Sequence, residues 1–131
     1  MDLNLVWAAL LGALLAGIAD WLFAGMLFRD RYERTPETWR AGAKDKGRIA
    51  AAVALSLLTA AAFVALAAKL HQTDPKGALK LAAMIWAIGP LPLLLANHLF
   101  IRIDPAVTTS HAAGWLAKLL LIAVATAWLL P

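Results

Sequence analysis

The sequence predicts an all-α integral membrane protein, a bundle of four membrane-spanning helices. Three observations carry that prediction. Of the 131 residues, 63% are hydrophobic and only 15% are charged, whereas a soluble domain carries roughly a quarter charged residues and under half apolar ones. The apolar residues fall into four long blocks, residues 5–28, 49–68, 81–101 and 106–130, each near the ~20 residues an α-helix needs to cross a hydrocarbon core. The charges gather between the blocks, with seven of the twelve Lys and Arg inside residues 29–48. No water-soluble fold of this size has interior enough to hide so much apolar surface. The chain therefore reads as one four-span domain whose first connection is a basic loop.

The first block, residues 5–28, can span with some tilt. Its Gly17-Ile18-Ala19 triplet resembles a signal cleavage site. The Met1-Asp2 start offers no basic segment, however, and the apolar run continues through Trp21 to Phe28, so a span is expected. Ala9, Ala13 and Gly17 lie four apart, the spacing that lets a second helix approach closely. Asp20 shares a face with Ala13, Ala16, Gly17 and Ala24 and is expected to point at another helix rather than at lipid. A carboxylate inside a span is a functional hypothesis by default.

In the basic loop, Thr35-Pro36-Glu37 has the form of a helix start: a hydroxyl cap, Pro at the first position, then an acid near the helix dipole. A helix from Pro36 running on into the second block is expected, with Trp39 as an interfacial anchor. The second block, residues 49–68, has only Ser56 and Thr59 as polar members, which suits tight packing and offers no chemistry. After a short turn, Asp74-Pro75 repeats the cap-then-proline signal. The third block, residues 81–101, contains Gly89-Pro90-Leu91-Pro92, where a kink is expected, and it closes on the polar pair Asn97-His98. Asp104-Pro105 opens the fourth block, residues 106–130. There His111, Trp115 and Lys118 are spaced i, i+4, i+7 and share one face, with Thr108 nearby.

Four spans place residues 29–48 and 102–105 on one side and residues 69–80 on the other. The first side holds eight Lys or Arg and the second three. The positive-inside rule then puts the basic loop in the cytoplasm and both termini outside, in the periplasm if the membrane is a bacterial inner membrane. The basic charge is a loop feature, so no nucleic-acid partner is expected. The chain has no cysteine, which excludes disulfides, thiolate metal sites and Cys nucleophiles. A phosphate loop, a nucleophile elbow, a zinc helix motif and a dinucleotide fingerprint are all missing. Neither an enzyme nor a bound cofactor is expected.

The layout resembles the bacterial membrane family known as domain of unknown function seventeen sixty-one. The resemblance rests on Ala19-Asp20-Trp21-Leu22 late in the first span, a second Trp shortly after at Trp39, and Asn97-His98-Leu99-Phe100 closing the third. It implies four spans and an inner-membrane location, with no activity to carry over. Leu22 stands where the family tends to have an aromatic residue, and Asp20 where it tends to have an apolar one. Asp20 is therefore not implied to be a site common to the family.

Several constellations could carry chemistry. By depth, Asp20 and Lys118 differ by roughly 7 Å at 1.5 Å per residue, a gap that a lysine stem can largely cover. Either charge alone at mid-membrane costs about 2.5–3.5 kcal/mol on insertion scales. Pairing is one reading; the other is a snorkelling Lys118 with Asp20 protonated or near headgroups. A second constellation is an inner-half cluster of Asp20, His98 and His111 beside Asn97, able in principle to bind a metal or relay protons. Its spacing matches no metal motif, and both histidines could equally be interfacial. Trp21, Trp86 and Trp115 are deep enough to line a groove, although buried aromatics more often serve packing. The basic loop carries a net charge of about +3, which attracts anionic headgroups modestly and equally serves as a topology determinant.

Two functions follow as expectations. The first is a non-catalytic accessory or interaction module in the bilayer, acting as a homo-oligomer or within a larger membrane complex. The alternative is a small proton- or cation-linked transporter or channel in which Asp20 titrates and the Pro90/Pro92 kink gates.

Overall fold

The structure, a computed structural model, describes residues 2–38 and 45–130. Among the described residues there are six α-helices, five of which build four spans. Helix α1 is Leu3–Leu22 and continues through a π-helical turn, Phe23–Leu27. Helix α2 is the short Arg29–Arg34. A 3₁₀ turn, Pro36–Thr38, follows. Helix α3 is Lys46–Lys69, α4 is Pro75–Ile88, α5 is Pro90–Phe100 and α6 is Pro105–Leu129. Four helical stretches, Leu3–Leu27, Lys46–Lys69, Pro75–Phe100 and Pro105–Leu129, are long and apolar enough to cross a membrane. The protein is an all-α, four-helix membrane bundle.

Local chemistry sets the boundaries. Asp2, Asp45, Asp74 and Asp104 each cap a helix, their carboxylates accepting backbone N–H groups of the first turn. Pro75 and Pro105 occupy first positions where no N–H is needed. One expected start differs. Thr35 does not cap a helix running into the second span; its hydroxyl donates back to the Arg31 carbonyl. Pro36 opens only the 3₁₀ turn, and α3 begins afresh at Lys46 under the Asp45 cap. A threonine one residue past a helix can bond backwards as readily as forwards, so the sequence signal was ambiguous. Trp39, the expected anchor, lies outside the described residues.

The third span breaks where the prolines stand. Helix α4 ends at Ile88, Gly89 takes φ −112° and ψ −89°, and α5 starts at Pro90. Pro90 and Pro92 supply no N–H to the carbonyls one turn earlier, so the ladder cannot run straight through.

Helix α6 is the axis. It packs against α1 on one flank and against α4 and α5 on the other, while α3 lies against α1 and more lightly against α6. Ten residues of α6 are buried and none of α5, so α6 is the helix the others assemble around. The core is built from Ala16, Ala60, Phe63, Ala67, Ala78, Ala82, Leu119, Ile122 and Ala123. Most are alanines, because without a hydrophobic drive between helices, bundles in lipid cohere by close backbone approach.

The face of α1 that packs keeps Ala16 and, in part, Ala13 of the expected small-residue face, but it is centred elsewhere. Its buried residues are Ala8, Gly12, Ala16 and Ala19, one position away from the Ala9, Ala13, Gly17 series. A Cβ added at Gly12 would lie 3.2 Å from Ile122 and 3.5 Å from Ala60, whereas one added at Gly17 would meet nothing within 4 Å. A helix this rich in Ala and Gly repeats small residues every fourth position on more than one face. The bulk of Ile122 on the partner decides which face is used.

Candidate functional site

The site is built where α1, α3 and α6 meet. Asp20 stands in the last turn of α1, and its Oδ2 lies 2.7 Å from Lys118 Nζ on α6. Ser56 on α3 donates its hydroxyl to the same oxygen over a long 3.4 Å. Lys118 also sits over the indole of Trp115, 4.7 Å from the ring centroid, so the cation has a carboxylate and an aromatic face as neighbours. The Lys118 side chain is 9% exposed and the Asp20 side chain 48% exposed. One end of the pair is buried in the bundle and the other opens outward.

The opening has a structural cause. Every residue from 45 to 55 is exposed, and Ser56 is the first buried residue of α3. Ten consecutive helical residues sample every face of a helix with 3.6 residues per turn, so no face of this stretch is packed. Helix α3 joins the bundle only at the level of Asp20, and below that level, among the described residues, it gives α1 no packed cover. Just past Asp20, α1 leaves α-geometry: the Phe23 N–H is shared between the Ala19 and Asp20 carbonyls, and the Phe28 N–H bonds the Phe23 carbonyl at 3.0 Å. Such π turns are frequent at functional sites. This one turns Phe23 over Gly114 of α6, where a Cβ would approach its ring to 3.5 Å.

The other polar groups form a second and a third set. His98 Nδ1, at the end of α5, is 3.2 Å from the Thr108 hydroxyl, with the donor set by the tautomer. Asn97 is half-buried beside it, its backbone carbonyl accepting the Ile101 N–H. His111 meets the Tyr32 ring edge-on, with centroids 5.9 Å apart. Tyr32, on α2, is buried and donates to Ser110 across 3.4 Å. Burial pushes its phenol above the ordinary value, and the Ser110 bond works weakly against that shift. The structure thus pairs Asp20 with Lys118; His111 still feels the Asp20 charge, but its ring contact is with Tyr32, and His98 is engaged by Thr108. The expected Asp20–His98–His111 cluster does not assemble as a ligand set: among the described residues no group of three or more His, Cys, Asp or Glu could hold a metal ion. Each histidine is claimed by a hydroxyl or ring at its own level.

The tryptophans do not form a common lining either. Trp21 is 62% exposed and points away from the bundle, lying over Gly25. Trp86 donates its indole N–H to the Ala112 carbonyl at 2.8 Å, which fastens α4 to α6. Trp115 packs on the core beside Lys118. Two residues gained a role that the sequence did not suggest. Ser56 is the α3 partner of Asp20; its spacing with Ala60, Phe63 and Ala67 was the available signal. Tyr32, the only tyrosine, pins α2 onto α6 through contacts no local pattern foretells.

The family model described as Protein of unknown function (DUF1761) matches residues 7–127. The chain belongs to that family. The match takes in all four spans, so the bundle and the Asp20–Lys118 pair both lie within the family region. No curated protein and no solved structure matches the chain.

Proposed function

We propose that the protein is a non-catalytic interaction module of a bacterial inner membrane, with both termini in the periplasm, and that it assembles with a further transmembrane helix at the open side of Asp20. One observation carries this reading: a mid-span carboxylate, already paired, is left 48% exposed beside a length of α3 that has no packed face. A half-covered ion pair facing lipid is costly. A helix laid against α1 and the start of α3 would cover it, and Gly17 leaves room for close approach. The partner is a second copy of the chain or a helix of a larger membrane complex. The eight-to-three excess of Lys and Arg at the loop end supports the orientation.

A second reading, a small proton- or cation-linked transporter, is favoured by one feature. A groove at the basic end is lined by Ala24 and His111, which stand one helical turn from Asp20 and two turns from Lys118. Replacing Asp20→Asn separates the two. On the module reading, the variant purifies folded, shows the same ion flux in liposomes as the parent, and loses about fivefold or more of its assembled species, roughly 1 kcal/mol of association. A proton- or cation-linked flux that vanishes with unchanged assembly would sink the module and leave the transporter.

A further inference from the structure

The groove at the basic end has a composition that the preceding proposal does not use. It encloses about 560 Å³, within the range of small-molecule sites. Its walls are the apolar side chains of Leu94, Ile101 and Val107. Its polar members include one full cation, Arg102, and one full anion, Glu37. Arg102 follows the third span and Glu37 lies between the first and second, so both sit at the level where a bilayer changes from hydrocarbon to headgroups. Both are exposed. Among the described residues neither is in an ion pair.

We infer that this groove binds a zwitterionic aminophospholipid, with Arg102 on the phosphate and Glu37 on the headgroup ammonium. The walls belong to membrane-spanning helices and their ends, so an occupant arrives from the leaflet and must be an amphiphile. An acyl chain lies along Leu94, Ile101 and Val107. The two charges choose the head. Arg102 offers the planar fork of donors that suits a phosphate. Glu37 is acceptor-only when ionised, so it repels a purely anionic head and rewards one that carries N–H donors. A trimethylated ammonium has the same charge but no N–H to donate, and so forfeits that bond. Helix α5 contributes no buried residue, which leaves its face of the groove open for a chain to enter sideways.

The test uses the full chain purified in detergent, native mass spectrometry, and three lipids with identical acyl chains. These are phosphatidylethanolamine, its trimethylated counterpart phosphatidylcholine, and anionic phosphatidylglycerol. The expected result is retention of phosphatidylethanolamine over phosphatidylcholine by about tenfold, the worth of one charge-assisted hydrogen bond. Glu37→Gln should bring those two lipids within about twofold of each other and improve phosphatidylglycerol, since the repulsive carboxylate is gone. Arg102→Gln should weaken all three, and so should Leu94→Trp, which fills the apolar wall. Equal binding of the two zwitterionic lipids, or a preference that survives Glu37→Gln, overturns the assignment. So does phosphatidylglycerol binding tightest and ignoring Glu37→Gln, which would mean diffuse attraction to the basic loop. Should Arg102→Gln fail to fold, the Glu37→Gln effect on headgroup preference decides alone, because Glu37 is an exposed residue outside the bundle core.

Discussion

The two ends of the bundle are built on opposite principles. Toward the end where α1 starts and α6 finishes, helices touch through Gly12, Ala16, Ala60, Ala78, Ala82 and Ala123, and no charged side chain intrudes among them. Toward the basic end, the same helices present Asp20, Ser56, Lys118, Thr108, Ser110 and two histidines, and the packing loosens. Helix α3 has no buried residue before Ser56, and α5, beyond the Gly89–Pro90 break, has none at all. The contrast shows what each kind of residue does in a bilayer. Small side chains hold helices by contact. Polar ones hold them by pairing, at chosen points, and leave space between the points.

The sharpest way to break the contrast is to remove a pairing point. Asp20→Ala leaves the Lys118 ammonium buried without its carboxylate, beside the Trp115 face. Losing one partner of a buried pair costs about 3–5 kcal/mol, and the outward exposure of Asp20 puts the expected cost near the lower end, about 3 kcal/mol. The double variant Asp20→Leu with Lys118→Met should recover most of it, since apolar replacement of a whole pair is often neutral. Reversible unfolding in mixed micelles, run as a double-mutant cycle, measures both quantities. Additive losses would mean that the pair does not hold the open end together.

The closed end is tested by a pair of glycines five residues apart on α1, which therefore lie on different faces. Gly12→Leu drives a side chain into Ile122 and Ala60, already 3.2 Å and 3.5 Å from a bare Cβ, and should cost about 1–3 kcal/mol by overpacking. Gly17→Leu, whose Cβ meets nothing within 4 Å, should change monomer stability by no more than about 0.5 kcal/mol. Equal effects at both positions would erase the assignment of the packing face.

These two glycines also mark where the sequence was legible. The fold class, the number of spans, the proline break and two of the helix caps, Asp74 and Asp104, followed from composition, block length and Asp-Pro pairs, all of which act locally. Counting residues along helices of known rise put Asp20 and Lys118 within a lysine stem's reach of each other, and left open whether they pair. What stayed hidden depends on which neighbour stands opposite. Gly12 and Gly17 look alike until Ile122 faces one of them. Ser56 looks inert until α3 is set against α1. His98 and His111 look like direct ligands beside Asp20 until His98 is seen on the Thr108 hydroxyl and His111 against the Tyr32 ring. The Thr35-Pro36-Glu37 start failed for a related reason: its hydroxyl had a carbonyl within reach on the wrong side, at Arg31.

The smallest expected gain tests whether the closed end is as tight as it can be. Helix α3 finishes there in a reversed turn, with the His71 N–H on the Ala68 carbonyl and the Gln72 N–H on the Ala67 carbonyl. That bond pattern needs a left-handed residue between helix and exit, a place usually held by glycine. Here it is His71, at φ 54°. A residue with a Cβ in that conformation costs about 1–2 kcal/mol, and glycine returns part of the gain through its greater freedom when unfolded. His71→Gly should therefore stabilise the protein by about 0.5–1 kcal/mol, read as a shift of the micellar unfolding midpoint. His71→Ala separates the causes: it keeps the backbone cost and removes only the imidazole, so it should leave stability within about 0.5 kcal/mol of the parent. If both variants lose stability, the imidazole itself holds the turn, and the closed end relies on a polar point just as the open end does.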